Sequence, residues 1–176
     1  MIKKNKGILF WITGFSGSGK TQISKKIHSQ IIKNYGPTIL FSGDDIRRIF
    51  NLKSYAYKDR FETVMKYCKL AKFSTSQNIN VIFAVIGMMD EIRKWNRKNI
   101  KNYVEIYIKS DLTKIINKRK KKIYHQDKKN IVGLDIKPEY PKKPDIILHN
   151  NFKKSIDAHA KELLIKLKKL KKLQNK

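Results

Sequence analysis

Gly7-Ile8-Leu9-Phe10-Trp11-Ile12-Thr13-Gly14-Phe15-Ser16-Gly17-Ser18-Gly19-Lys20-Thr21 decides the fold of this chain. Gly7–Thr13 is apolar without alternation, as in a strand buried on both faces of a sheet. Gly14–Thr21 fits the pattern G-x-x-x-x-G-K-[ST] and stands between that strand and a helix. Glycines let the backbone wrap tightly, so successive N–H groups point at phosphate oxygens. The positive end of the helix that follows adds to the attraction. Gly14, Ser16, Gly17, Ser18 and Gly19 are therefore the candidate cradle for ATP. Lys20 would bridge the β- and γ-phosphates, and the Thr21 hydroxyl would hold Mg²⁺.

The elements downstream fit such a loop. Lys20–Asn34 places Ile23, Ile27 and Ile31 on one helical stripe, and Gly36-Pro37 stops it. Thr38–Phe41, Asn80–Ile86, Tyr103–Ile108 and Asp145–Leu148 read as further strands. Lys58–Gln77 and Asp90–Asn99 read as helices, and Ser110 is placed to cap a third that runs to Lys118. Ser155–Leu173 is an amphipathic helix with Ile156, Ala160, Leu163, Leu167 and Leu170 on one side. Arg119–Pro144 is polar and basic, holds three of the four prolines, and has no clear period. Its stretch 119–140 is expected to be a lid. Strands alternating with helices predict an α/β P-loop NTPase-type three-layer sandwich, with a five-stranded, mainly parallel sheet and helices on both faces. No internal repeat or linker divides residues 1–176, so a single kinase domain is expected.

Ser42-Gly43-Asp44-Asp45 follows the second strand, at the edge where open parallel sheets bind ligands. Asp44 could orient a hydroxyl acceptor and take its proton. Asp45 could cap the helix beginning near Ile46 or touch the substrate. Arg47 and Arg60 are planar donors suited to phosphate or sulfate, with a solvated basic surface as the plainer reading. Strand Asn80–Ile86 ends without the aspartate of a motor-type ATPase, and no Asn-Lys-x-Asp for reading guanine is present. A small kinase remains. Sugar or nucleoside monophosphate kinases share these features.

Phe10–Thr21, Gly43-Asp44-Asp45-Ile46-Arg47, Asp59-Arg60, and Lys129-Asn130-Ile131-Val132-Gly133-Leu134-Asp135 with Pro138-Glu139 and Pro144-Asp145 resemble the motifs of the adenylylsulfate (APS) kinase family. The resemblance implies ATP-dependent phosphorylation of a nucleotide's ribose 3′-hydroxyl, with Mg²⁺, a lid over ATP and often a homodimer. It gives Asp44 the acceptor hydroxyl and Lys20 the transferring group. Arg47, Arg60, Asp45, Ile86, Lys129, Asn130 and Ile131 fall to the acceptor, and Arg119 to the lid near ATP. The departures cluster on the acceptor side. Ser42 and Asp45 replace the Asp and Asn of D-G-D-N. Thr63 stands where an Asn follows D-R, Ile86-Gly87-Met88-Met89 replaces I-S-P-Y, and Ile131 replaces an aromatic. A variant of the family, cytidine diphosphoramidate kinase, phosphorylates the 3′-hydroxyl of CDP-phosphoramidate in capsule-modification chemistry. Both acceptors stay open at this point.

Composition adds bounds. The 176 residues are enough for a buried core. Lys+Arg number 41 against 14 Asp+Glu, a formal charge of +27. This excess favours anionic partners or reflects surface drift to lysine. A nucleic-acid-binding protein would explain the charge but not the ordered loop and Gly43–Arg47, so no obligatory nucleic acid is expected. One cysteine, Cys68, excludes an internal disulfide and a Cys-rich zinc site, consistent with a cytoplasmic protein. The apolar runs Gly7–Thr13 and Val81–Met89 are too short to span a bilayer, so no membrane association is expected. The C-terminal helix reads as core in preference to a membrane or partner surface.

Overall fold

The computed structural model describes residues 7–119 and 129–174. Five strands, β1 (Leu9–Thr13), β2 (Thr38–Ser42), β3 (Asn80–Ala84), β4 (Tyr103–Lys109) and β5 (Ile146–His149), form one sheet in the order β2-β3-β1-β4-β5. All four pairings are parallel. Helices α1 (Lys20–Tyr35), α2 (Gly43–Ile49), α3 (Tyr57–Ser76), α4 (Asp90–Asn99), α5 (Leu112–Arg119), α6 (Ile156–Lys168) and α7 (Lys171–Gln174) complete the chain. The result is the expected three-layer α/β sandwich.

Each face of the sheet owns alternate residues of the same strands. Phe10 and Ile12 of β1 join Ile82, Val104 and Ile106 against Ile23, Ile27 and Ile31 of α1 and Leu163 and Leu167 of α6. Leu9 and Trp11 point the other way, with Val81 and Phe83, onto Val64, Tyr67, Cys68 and Ala71 of α3 and Ile92 of α4. A smaller cluster, Phe15, Met88, Tyr107, Ile115 and Val132, closes the carboxyl end of the sheet. Cys68 is fully buried, and burial pushes its thiol up to about 12. No helix among the described residues is long and apolar enough to cross a membrane.

Several expected boundaries move, each for a local reason. β3 stops at Ala84, not Ile86. Val85 still donates to Ile12 O at 3.0 Å, but the Thr13 hydroxyl then takes the Ile86 carbonyl and ends the ladder. β5 begins at Ile146 because the Asp145 carboxylate turns back to accept from Glu105 N at 2.7 Å. The cap of α5 is Asp111, which accepts from Lys114 N at 3.0 Å; the Ser110 hydroxyl is buried with no partner among the described residues. The C-terminal helix is two helices, broken at Lys169-Leu170.

Asn80 ties three elements together. Its Oδ1 accepts from Ile8 N at 2.9 Å, and its Nδ2 donates to Tyr35 O at 2.8 Å, where α1 ends. Replacing it by alanine strands a buried donor and a buried acceptor, each of which costs about 1–3 kcal/mol. Asn80→Ala is expected to lower unfolding stability by about 3 kcal/mol, measured by urea titration, with the denaturant slope unchanged.

Candidate active site

The carboxyl ends of the strands bring the predicted residues to one edge. After β1 the chain wraps through Gly14–Gly19 into α1. Gly14 has φ +148°, and a Cβ there would lie 2.6 Å from the carbonyl of Ile108 on β4. The loop is thus seated on the sheet backbone itself. Gly19 has φ +93° and precedes α1, whose first amides have no side-chain cap. The Ser18 hydroxyl is buried with no hydrogen-bond partner among the described residues. Lys20 is buried, and its ammonium donates to Phe15 O at 2.7 Å across the mouth of the loop. Uncapped amides, an orphan hydroxyl and a buried ammonium form a cradle for an anion of phosphate type.

Ser16, Gly17, Gly19, Lys20, Thr21 and Asp44 line a cleft of about 320 Å³. A second, tighter cleft, of about 60 Å³, is lined among others by Asp44, Arg47, Tyr55, Arg60, Ile86 and Glu139. Gly43, Asp44, Val85 and Ile86 belong to both. Asp44 therefore stands at the seam, exposed to both spaces.

The chain around Asp44 is held firmly. Ser42 is the N-cap of α2, accepting from Asp45 N at 3.2 Å and donating to the Asp45 carboxylate at 2.6 Å. Asp45 also accepts from Arg48 at 3.1 Å. The N-cap is thus Ser42 and not Asp45, which sits in the first turn as the partner of the capping hydroxyl, and the helix starts at Gly43, three residues before the expected Ile46. Behind the turn, the Tyr67 hydroxyl donates to Gly43 O at 3.2 Å, while the ring stacks on Phe83 with centroids 5.0 Å apart. Burial above all pushes this phenol up to about 12, so it stays a neutral donor.

Arg47 and Arg60 both line the second cleft. Arg47 donates to Leu52 O at 3.1 Å and Ser54 O at 2.8 Å, and its guanidinium lies 4.3 Å from the centre of the Tyr55 ring. Arg60 is buried and donates to Asn130 O at 2.8 Å; its Nε–H has no partner among the described residues. Burial, and then the neighbouring Arg47 charge, pull the Arg60 guanidinium below its ordinary value. A buried cation beside a second cation is a site that an anion would relieve.

The remaining predicted residues divide. Ile86 lines both clefts. From the 129–140 stretch, Asn130 gives its carbonyl to Arg60, Lys129 is exposed, and Ile131 is buried, while Val132 and Ile136 face the second cleft. The end of the stretch is pinned: Glu139 N donates to Met88 O at 3.0 Å, and Arg93 donates to Glu139 O at 2.8 Å. Arg93 itself is buried beside Glu105, 3.5 Å away. Tyr140 meets Phe15 of the loop edge-on, with centroids 6.0 Å apart. Residues 120–128 of the expected lid, and the Arg119 side chain, lie outside the described residues. Sequence reasoning missed Tyr55, Tyr67 and Arg93, because each takes its place through the shape of the fold and carries no motif.

A phosphate-binding loop joined through a carboxylate to a cationic cleft, on a parallel sheet, defines a P-loop kinase. The family described as adenylylsulphate kinase matches residues 6–149. The cytidine diphosphoramidate kinase of Campylobacter jejuni is 34% identical over 167 residues, covering 93% of this chain and 97% of that one. An adenylyl-sulfate kinase of Clostridium acetobutylicum is 31% identical over 149 residues, covering 81% and 74%. Among solved structures, the APS kinase of Mycobacterium tuberculosis in complex with AMPPNP and APS superposes with a TM-score of 0.82 at 23% identity, over 93% and 98% of the two chains. The chain belongs to the adenylylsulfate kinase family and is an ATP-using phosphotransferase.

Arg60→Ala removes one side of the cationic cleft and none of the loop. A charge-assisted contact of this kind is worth about 1.5–3 kcal/mol. Steady-state kinetics are expected to show the KM of the nucleotide acceptor raised about thirtyfold, with the KM of ATP within a factor of about two.

Proposed function

We propose that this chain transfers the γ-phosphoryl group of ATP to the ribose 3′-hydroxyl of CDP-phosphoramidate. The observation that carries the transfer is the position of Asp44 between the two clefts. A donor held on Gly14–Thr21 and an acceptor held at Arg47 and Arg60 would meet there and nowhere else along the edge. The choice of acceptor is supported by the Campylobacter jejuni kinase, matched over nearly its full length, and by Ile86-Gly87-Met88-Met89 and Thr63 where APS kinases carry other residues.

In this reading the amides of the loop and of the first turn of α1 hold the β- and γ-phosphates. Lys20 leaves the Phe15 carbonyl for phosphate oxygens and offsets charge as the group moves. Thr21, in the first turn of α1 and on the cleft wall, is the hydroxyl suited to Mg²⁺. Among the described residues, no group of three or more His, Cys, Asp or Glu side chains could hold a metal. The ion would supply positive charge that offsets the negative charge of the phosphates. Arg47 and Arg60 grip the acceptor's anionic end, Ile86 and Val132 form its apolar walls, and Asp44 accepts the proton of the attacking hydroxyl.

A second reading has adenylylsulfate as acceptor, favoured by the family match across residues 6–149. A coupled ADP-release assay with the two acceptors side by side separates them. CDP-phosphoramidate is expected to give the higher kcat/KM by at least about tenfold; the opposite order would establish the second reading. Asp44→Asn keeps the shape of the seam and removes the proton acceptor. It is expected to lower kcat on the order of 100-fold with little change in ATP affinity. An unchanged kcat would take Asp44 out of the chemistry.

A further inference from the structure

Asn150 lies just past β5 and belongs to no motif of the sequence, yet its side chain ends on the nucleotide loop. It is 2% exposed. Its Nδ2 donates to Ser18 O at 3.0 Å in a buried bond that joins positions 132 residues apart. Its Oδ1 accepts from Phe152 N at 2.9 Å, and its own N–H donates to Lys109 O at 2.9 Å, continuing the β4–β5 ladder. Both ends of the amide are thus committed, which fixes its orientation: an N–H takes the oxygen, leaving the nitrogen for a carbonyl.

The bond to Ser18 bears on the cradle through peptide geometry. Across a planar trans peptide the carbonyl and the next N–H point in opposite directions. Holding Ser18 O toward Asn150 therefore turns Gly19 N–H away from Asn150, toward the open side of the loop. Gly19 has the positive φ this turn requires, and a Cβ added there would lie 3.4 Å from Asn150 Nδ2 and from Ile156 Cδ1. The 18–19 peptide is clamped between the sheet edge and α6, and α1 has no side-chain cap of its own to steady it.

We propose that Asn150 is a positioning residue for the nucleotide loop: its amide sets the Ser18–Gly19 peptide so that Gly19 N–H is presented to phosphate before ATP arrives. Preorganised donors bind an anion without first spending free energy on reorientation. The inference rests on ATP occupying Gly14–Thr21, and the test separates the two. ATP binding by the wild-type chain is measured first, as the rise in melting temperature over an ATP titration. If wild type shows no rise, the assignment of the loop to ATP fails. If it does, Asn150→Ala is expected to raise the Kd for ATP about tenfold, the worth of one buried hydrogen bond and the disorder it prevents. The acceptor KM should stay within about twofold, and Asn150→Ser, which keeps a short donor, should recover part of the loss. A merely structural role would lower the melting temperature in buffer and leave the ATP Kd of the folded protein unchanged; that result would overturn the proposal. So would equal rises in both KM values. Loss of the folding transition in both variants would overturn it too, by making Asn150 a residue of the fold and not of the loop.

Discussion

β1 is hydrogen-bonded along both edges, to β3 and to β4, and the nucleotide loop leaves from its carboxyl end. This places Gly14 against the main chain of β4, with the Ile108 carbonyl where any side chain would be. The contact is between backbones, so it leaves little freedom to slide or tilt. From that seat the first turn of α1 faces outward with its amides uncapped. The ends of β2 and β3 bring Gly43–Asp44 and Val85–Ile86 alongside at fixed distances. The catalytic edge is a property of the parallel register before it is a property of any side chain.

Much of this could be read in the chain. The nucleotide cradle was legible because its function demands glycine, lysine and a hydroxyl at set spacings, and because an unbroken apolar run announces a central strand. Asp44 was legible because it follows a strand end, and Arg47 and Arg60 because planar guanidinium groups suit an anionic partner. Element ends were less legible, since side chains decided them. The Thr13 hydroxyl replaces a ladder bond and shortens β3, Asp145 turns back onto Glu105 and delays β5, and Asp111 takes a capping role that Ser110 also fits. Asp45 shows the same limit: it was open to a capping role, but Ser42 is the cap, and its hydroxyl donates to the Asp45 carboxylate.

What the sequence hid altogether is the support behind the site. Tyr67 reaches the Gly43 carbonyl from α3, and Asn150 reaches the Ser18 carbonyl from beyond β5. Arg93, buried against Glu105, holds the carbonyl of Glu139 in the wall of the second cleft, and the next residue, Tyr140, touches Phe15 of the loop after β1. None of these side chains has a spacing rule, because each partner is far away in the chain. The two clefts consequently share a back wall as well as a seam.

Cys68 brings a practical benefit. The chain has one thiol, enclosed between α3 and the sheet and kept protonated by its surroundings. To a maleimide or a disulfide-forming dye the native molecule behaves as though it had no cysteine. A single reporter sulfhydryl placed on the rim of either cleft could therefore be tagged site-selectively in the natural background, giving fluorescence or spin-label access to ligand binding there without altering the interior.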